Sequence, residues 1–177
     1  MMKKILYTLA LATLLYSCDD GDLVIENLSF DNTTISKCGN NTTPTGLLFK
    51  VNGSELLLIN IPANYFDATL STIDAPKVHT LTANQLIYRK YSGTVNANII
   101  CSDIPPATPT VSNEWLAAAG GTIEIVTSEK YTTNEITGIS VLTGYSHDIR
   151  FKNVLLSNAE SNFVYDDYYF GEYITNL

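Results

Sequence analysis

Basic side chains are scarce in this chain. Ten Lys and Arg stand against 18 Asp and Glu, a formal net charge of -8 at pH 7, and so acidic a body repels phosphate groups, which excludes nucleic acid as a natural partner. Histidine is scarcer still: His79 and His147 are the only two. Neither is spaced with a cysteine in a ligand pattern, so no metal or other cofactor is expected. The sequence has no G-x-S-x-G, no P-loop and no G-x-G-x-x-G, which removes the common signatures of serine hydrolases, nucleotide-binding loops and dinucleotide folds. It also has no internal repeat and no low-complexity tract. Long apolar runs are missing too. The best of them, residues 5–15, is eleven residues broken by Thr8 and Thr13, and at about 1.5 Å per residue it spans roughly 16 Å, short of the roughly 30 Å of a bilayer core.

What is present at the start has the layout of an export signal. Lys3 and Lys4 precede the apolar run, and Tyr16, Ser17 and Cys18 follow it at once. Leu15-Tyr16-Ser17-Cys18 resembles a bacterial lipobox, in which a Leu lies three places before a Cys that receives diacylglycerol. The resemblance implies removal of residues 1–17 and a mature chain that begins at a lipidated Cys18. Several acyl chains on one residue exceed the two-signal threshold for stable anchoring. Asp19, Asp20 and Asp22 then form an acidic tether over residues 18–22. A lipidated Cys with a short acidic run is similar to the export signal of surface lipoproteins of Bacteroidota, and the wealth of Asn, Thr and Tyr points the same way. The location implied is the outer membrane, facing the cell exterior, with its periplasmic face as the alternative. Loss of Lys3 and Lys4 leaves 8 basic and 18 acidic groups, net -10, in the mature protein, a charge suited to a soluble extracellular domain.

Assigning Cys18 to lipid leaves Cys38 and Cys101. In an exported chain an even pair is expected to form a disulfide, with two free buried thiols or a metal pair as alternatives. Residues 23–177 read as a single all-β domain, an antiparallel sandwich or barrel-like fold of about nine strands and one short helix. Turn residues recur every eight to twelve positions, as at Asn52-Gly53, Ser92-Gly93, Gly120-Gly121 and Gly144. The runs between them, at residues 23–30, 47–51, 55–61, 86–91, 94–101, 122–127, 136–143, 149–156 and 168–175, are rich in β-formers. Asn52-Gly53 is the sharpest hairpin signal, read as a type I′ turn. Cys101 shares a strand parity with Val95, Ala97 and Ile99 and is expected to point inward. The helix is placed at residues 113–119, capped by Ser112 and stopped by Gly120. It would carry Trp115, the only tryptophan, either as a lid on the core or as an exposed ligand platform.

Candidate chemistry is sparse. Tyr145, His147, Ile149 and Phe151 share one strand face and Asp148, Arg150 and Lys152 the other. This makes His147 a satisfied core or rim residue rather than a catalyst, and the charged triplet a solvated face. Asp166 and Asp167 are adjacent, so in a strand they point to opposite faces and cannot act as the paired carboxylates of a glycosidase. The most unusual segment, residues 163–173, holds six aromatics and three acids. Its rings either pack as a closing strand with wet hydroxyls or recognise sugars. In the second case Tyr169 and Tyr173 share a face across Gly171, while Tyr168, Phe170 and Ile174 are buried. The expected function is therefore a non-enzymatic envelope binding module for a glycan or another envelope protein, with Tyr169, Tyr173 and Trp115 as ligand-binding candidates. The alternative is a structural or accessory subunit of an outer-membrane complex.

Overall fold

The computed structural model describes residues 28–39 and 46–177. The signal segment 1–17, the lipidation site Cys18, the tether 18–22 and most of the strand expected at 23–30 lie outside the described residues. The described end of that run, residues 28–30, is not strand.

Nine strands are formed among the described residues: β1 (Ser36–Lys37), β2 (Leu47–Asn52), β3 (Glu55–Asn60), β4 (Lys77–Thr80), β5 (Leu86–Tyr91), β6 (Val111–Ala117), β7 (Thr122–Thr133), β8 (Ser140–Ser157) and β9 (Asn162–Asn176). Every pairing is antiparallel. The order is β1-β2-β3-β5-β6-β8-β7-β4, with β9 on β8. The domain is all-β, and the sheet does not close into a barrel.

The 18-residue β8 is the spine. β9 occupies one of its edges from Gly144 to Ser157. The opposite edge is shared: β7 pairs with Ser140 to Lys152 and β6 with Leu156 and Ser157. β6 and β7 thus follow one another along β8, separated by the step at residues 118–121. There Gly121 (φ +71) passes so close to β8 that a Cβ would lie 2.6 Å from the Asn153 carbonyl oxygen. The inward parity of these strands supplies one core, from Leu48, Leu57 and Ile59 through Tyr88 and Trp115 to Ile149, Phe151 and Phe170. The opposite face of β2, β3 and β5, which carries the buried Phe49 and Leu56, is covered by the segment after β5. That segment is fastened twice: the Val95 amide donates to the Gly53 carbonyl at 2.9 Å, and Cys101 forms a disulfide with Cys38. On the chain-entropy account, closing the 63-residue separation contributes about 4 kcal/mol.

Several expectations are corrected. Residues 94–101 are not a strand; Asn96 caps a one-turn helix, α1 (Ala97–Ile100), by accepting the Ile99 amide, and Cys101 follows it, half-buried. Residues 113–119 are not a helix. Residues 113–117 belong to β6, where Trp115 and Ala117 alternate inward, 118 and 119 start the step beyond it, and Ser112 donates to the Lys90 carbonyl instead of capping. Helix propensity in the Ala run loses here to a two-sided ladder and to the burial of Trp115. Residues 136–139 form the apex of the β7–β8 hairpin rather than strand. Gly144 is not a turn but lies inside β8, where a Cβ would fall 2.1 Å from the Thr175 carbonyl oxygen. The β2–β3 turn has Gly53 and Ser54 at its centre, with Asn52 paired to Glu55 and positive φ (+59) at Gly53, the pattern of a type II′ turn rather than I′.

Candidate functional site

Among the described residues, the edge of β9 that does not face β8 carries no strand. Across from it run residues 31–37, and between the two lies a cleft of about 590 Å³ bordered by Asp31, Thr33, Ile35, Lys50, Tyr169 and Glu172. It continues past Lys37 and Tyr173 as a second depression of about 270 Å³.

A bulge in β9 decides which side chains reach it. Ile149 pairs with Gly171 but Arg150 pairs with Tyr169, so Phe170 is an extra residue, and Gly171 takes φ +132. Before the bulge, Tyr168 and Phe170 point inward and Tyr169 outward; after it, Gly171, Tyr173 and Thr175 point inward and Glu172 outward. The parity expected for an unbroken strand is reversed at Gly171. Tyr169 (45% exposed) and Tyr173 (5% exposed) therefore lie on opposite faces, and Ile174 is only half-buried. The place a side chain would take at Gly171 is filled, since a Cβ there would sit 3.3 Å from Ile35 Cδ1 and 3.5 Å from Lys50 Cε, although Gly171 itself borders the cleft. Trp115 is likewise a core residue, stacked on Tyr88 with centroids 5.1 Å apart and donating from Nε1 to Ser161 Oγ at 2.9 Å. Of the three rings singled out in the sequence, only that of Tyr169 is presented to solvent.

Tyr169 is held firmly. Its hydroxyl donates to Asp148 Oδ1 at 2.6 Å, and the Arg150 guanidinium lies 5.6 Å from its ring centroid. Arg150 and Lys152 both bind Asp167, at 2.5 and 2.6 Å. Partial burial and the hydrogen bond to Asp148 push the Tyr169 phenol up to about 12, so it remains a neutral donor at physiological pH. The ring also borders a smaller depression of about 190 Å³, on the face carrying Asp148 and Arg150 and bounded by Ile73 and Pro76. The triplet Asp148, Arg150 and Lys152 thus lies on the outward face as its parity required, with Arg150 and Lys152 paired across the strands to Asp167 and Asp148 accepting the Tyr169 hydroxyl.

Lys50 is the residue that reading the chain missed. It is 3% exposed, donates from Nζ to the Phe30 carbonyl at 3.0 Å, and stands 5.7 Å from the Phe170 ring centroid. Burial lowers its pKa, with Asp31 acting in the opposite direction. The signal was present: Lys50 shares the strand parity of Leu48, so its ammonium is carried by the core-facing side of β2. An ammonium has three donors, and the cleft brings one such group together with the carboxylates of Asp31 and Glu172 and the hydroxyls of Thr33 and Thr34. Glu172 also accepts a hydrogen bond from Ser146.

The histidines form no site with these groups. His147 is fully buried, with Nδ1 3.0 Å from Thr127 Oγ1 and Nε2 3.0 Å from Thr175 Oγ1. Burial, helped by the charge of Lys77, lowers its pKa to about 4. His79 stacks on Tyr65 at 3.6 Å. Asp166 is exposed and Asp167 is engaged by Arg150 and Lys152. Among the described residues, no three His, Cys, Asp or Glu side chains are grouped to hold a metal ion, and no helix is long and apolar enough to cross a membrane.

No family model, curated protein or solved structure matches the chain. The site has to be read from its own chemistry.

Proposed function

We propose that this protein is an outer-membrane lipoprotein, anchored through Cys18 and facing the cell exterior, whose β domain is a non-enzymatic binding module that takes a neutral glycan in the cleft along β9. The observation that supports the ligand class is that Lys50, Asp31, Glu172 and Tyr169, an amphoteric polar set and an aromatic residue, all border one cleft. A sugar presents hydroxyls that both donate and accept, and C–H faces that meet the negative face of an aromatic quadrupole. Lys50 supplies donors, Asp31 and Glu172 supply acceptors, and Tyr169 supplies the ring. A ligand with an anionic group gains from Lys50 but meets two carboxylates at the rim, so the neutral saccharide is the better fit. A volume of about 590 Å³ falls within the roughly 300–1,000 Å³ usual for small-ligand sites.

The test is a neutral oligosaccharide array probed with the mature lipidated protein in detergent. The wild type is expected to retain a defined subset of glycans, and Tyr169→Ala to weaken that binding several-fold, about 1 kcal/mol, with the melting temperature nearly unchanged. Lys50→Met keeps the aliphatic stem and is expected to lose binding as well. An array on which the wild type retains no neutral glycan would overturn the reading.

A further inference from the structure

The hairpin of β7 and β8 extends past the rest of the sheet. β4 pairs with β7 only from Thr122 to Ile125, and the last partner of β9 on β8 is Gly144. Beyond Gly144 the two strands have no further strand partner among the described residues, only the Leu177 amide reaching the Thr143 carbonyl at 3.1 Å, and run on to the apex for about five residues or roughly 17 Å. The projection carries apolar side chains that take no part in the core: Ile136 is 95% exposed, Ile139 61%, and Tyr131 and Val141 are also exposed.

The apex is nonetheless built to one shape. Asn134 donates its amide to the Ile139 carbonyl at 2.9 Å and accepts the Gly138 amide at 2.8 Å, while its side-chain Oδ1 accepts the amides of Ile136 and Thr137 at 2.9 and 3.0 Å. Gly138 takes the positive φ (+69) that this tight closure requires. Below it, Thr133 and Ser140 hydroxyls bond across the strands at 2.8 Å, and the Tyr131 hydroxyl donates to Glu129 at 2.8 Å. A floppy loop would let the isoleucines fold back against the stem. This one holds Ile136 outward, and an apolar anchor ordered in advance loses little further entropy when it docks.

We propose that this tip is a docking surface for a different protein, one that presents an apolar pocket bordered by basic side chains. The charge decides among occupants. Ile136 is preceded by Glu135, and the stem carries Glu129 against the single cation Lys130. Interfacial membrane elements pair their apolar residues with Lys and Arg, and a chain of net charge -8 is repelled by an anionic lipid surface. A second copy is disfavoured on the same ground. The chain's own apolar groove, between Leu58 and Pro105, has Arg89 on its border, but that guanidinium is already paired with Glu114. The inference is independent of the glycan reading, which rests on residues of β9 and β2.

The experiment places a photocrosslinking amino acid at position 136 of the full-length chain in intact cells, identifies the adduct by mass spectrometry, and measures the affinity of the purified adduct protein for the wild type and for an Ile136→Asp, Ile139→Asp double variant. The expected result is one adduct protein whose dissociation constant rises at least ten-fold in the double variant and also rises with salt, the glycan profile and melting temperature being unchanged. The proposal is overturned by the absence of an adduct, by an adduct protein whose affinity is the same for both forms, by a crosslink between two copies of this chain, or by flotation through the tip with vesicles of phosphatidylcholine and phosphatidylglycerol. A failed glycan array leaves all of these outcomes readable.

Discussion

His147 shows what a single side chain does once its neighbours are fixed. With both ring nitrogens within hydrogen-bonding reach of threonine hydroxyls and no exposed surface, the ring is stored neutral, and its proton affinity falls from the ordinary 6.5 to about 4. Lys77 adds to this effect, and Asp67 and Asp148 oppose it without cancelling the cost of burial. The folded pKa lies below the unfolded one, so the unfolded chain takes up the proton first as pH falls. The stabilisation from a neutral His147 is complete above pH 6.5 and drains away between 6.5 and 4. At 1.36 kcal/mol per pKa unit the loss approaches about 3 kcal/mol. His79 shifts in the same direction, so the two must be separated by substitution. Urea denaturation from pH 7 to pH 4 should show the acid loss reduced by about one proton in His147→Gln and retained in the wild type. An identical pH dependence in both would remove the neutral, desolvated His147 from the account. Lys50 makes a related point, because a cation on the core-facing parity of β2 is legible in the chain while the carbonyl and ring that receive it are not.

At the scale of elements, backbone approach rather than propensity decides the outcome. Gly144 has the residue type of a turn and sits inside the longest strand, because β9 crosses where any side chain would collide with the Thr175 carbonyl. Gly144→Ala should therefore destabilise the domain by about 1–3 kcal/mol, the range of an overpacked interior site. Gly138→Ala, where a Cβ meets nothing within 4 Å, should cost only what its positive φ demands. Parallel thermal melts of the two variants measure the difference, and equal losses would refute the close approach as the cause. The bulge at Phe170 and Gly171 acts through geometry as well. By adding one residue it sends Tyr173 into the core and leaves Tyr169 outside, so an element whose composition was evident had its faces assigned by a single register shift.

For the whole molecule, one antiparallel sheet with β8 as spine builds its main core from the inward parity of its strands and leaves three surfaces with different properties: the polar cleft by β9, the ion-pair ladder around Arg150, and the apolar hairpin tip. Without Lys3 and Lys4 the proposed mature chain carries net -10, a charge that opposes adsorption to an anionic lipid surface, so the proposed attachment to the membrane depends on lipid alone. Cys18→Ala should move the protein from the membrane pellet to the soluble fraction, and mass spectrometry of the wild type should find Cys18 acylated at the mature N-terminus. An unmodified Cys18 inside the mature chain would refute the anchor.

The amino-acid sequence determined the class of fold, because alternation of apolar residues and turn chemistry are local properties that survive without knowledge of partners. It placed β2, β3 and β5 within a residue, and it favoured the Cys38–Cys101 bridge that the structure shows, since an even pair in a chain read as exported is expected to close a disulfide. Parity also sorted His147 from Asp148 and Arg150 correctly. Only the tertiary structure decided that residues 113–117 are strand, because a ladder on both sides outweighs the helix preference of an Ala run, and that residues 94–101 are not. It alone joined Lys50, Asp31 and Tyr169 around one cleft, since these residues come from separate segments and meet only beside the edge of β9 that carries no strand among the described residues. It also decided which tyrosine faces water, because a one-residue bulge inverts every side chain beyond it and leaves almost no trace in the pattern from which faces are read.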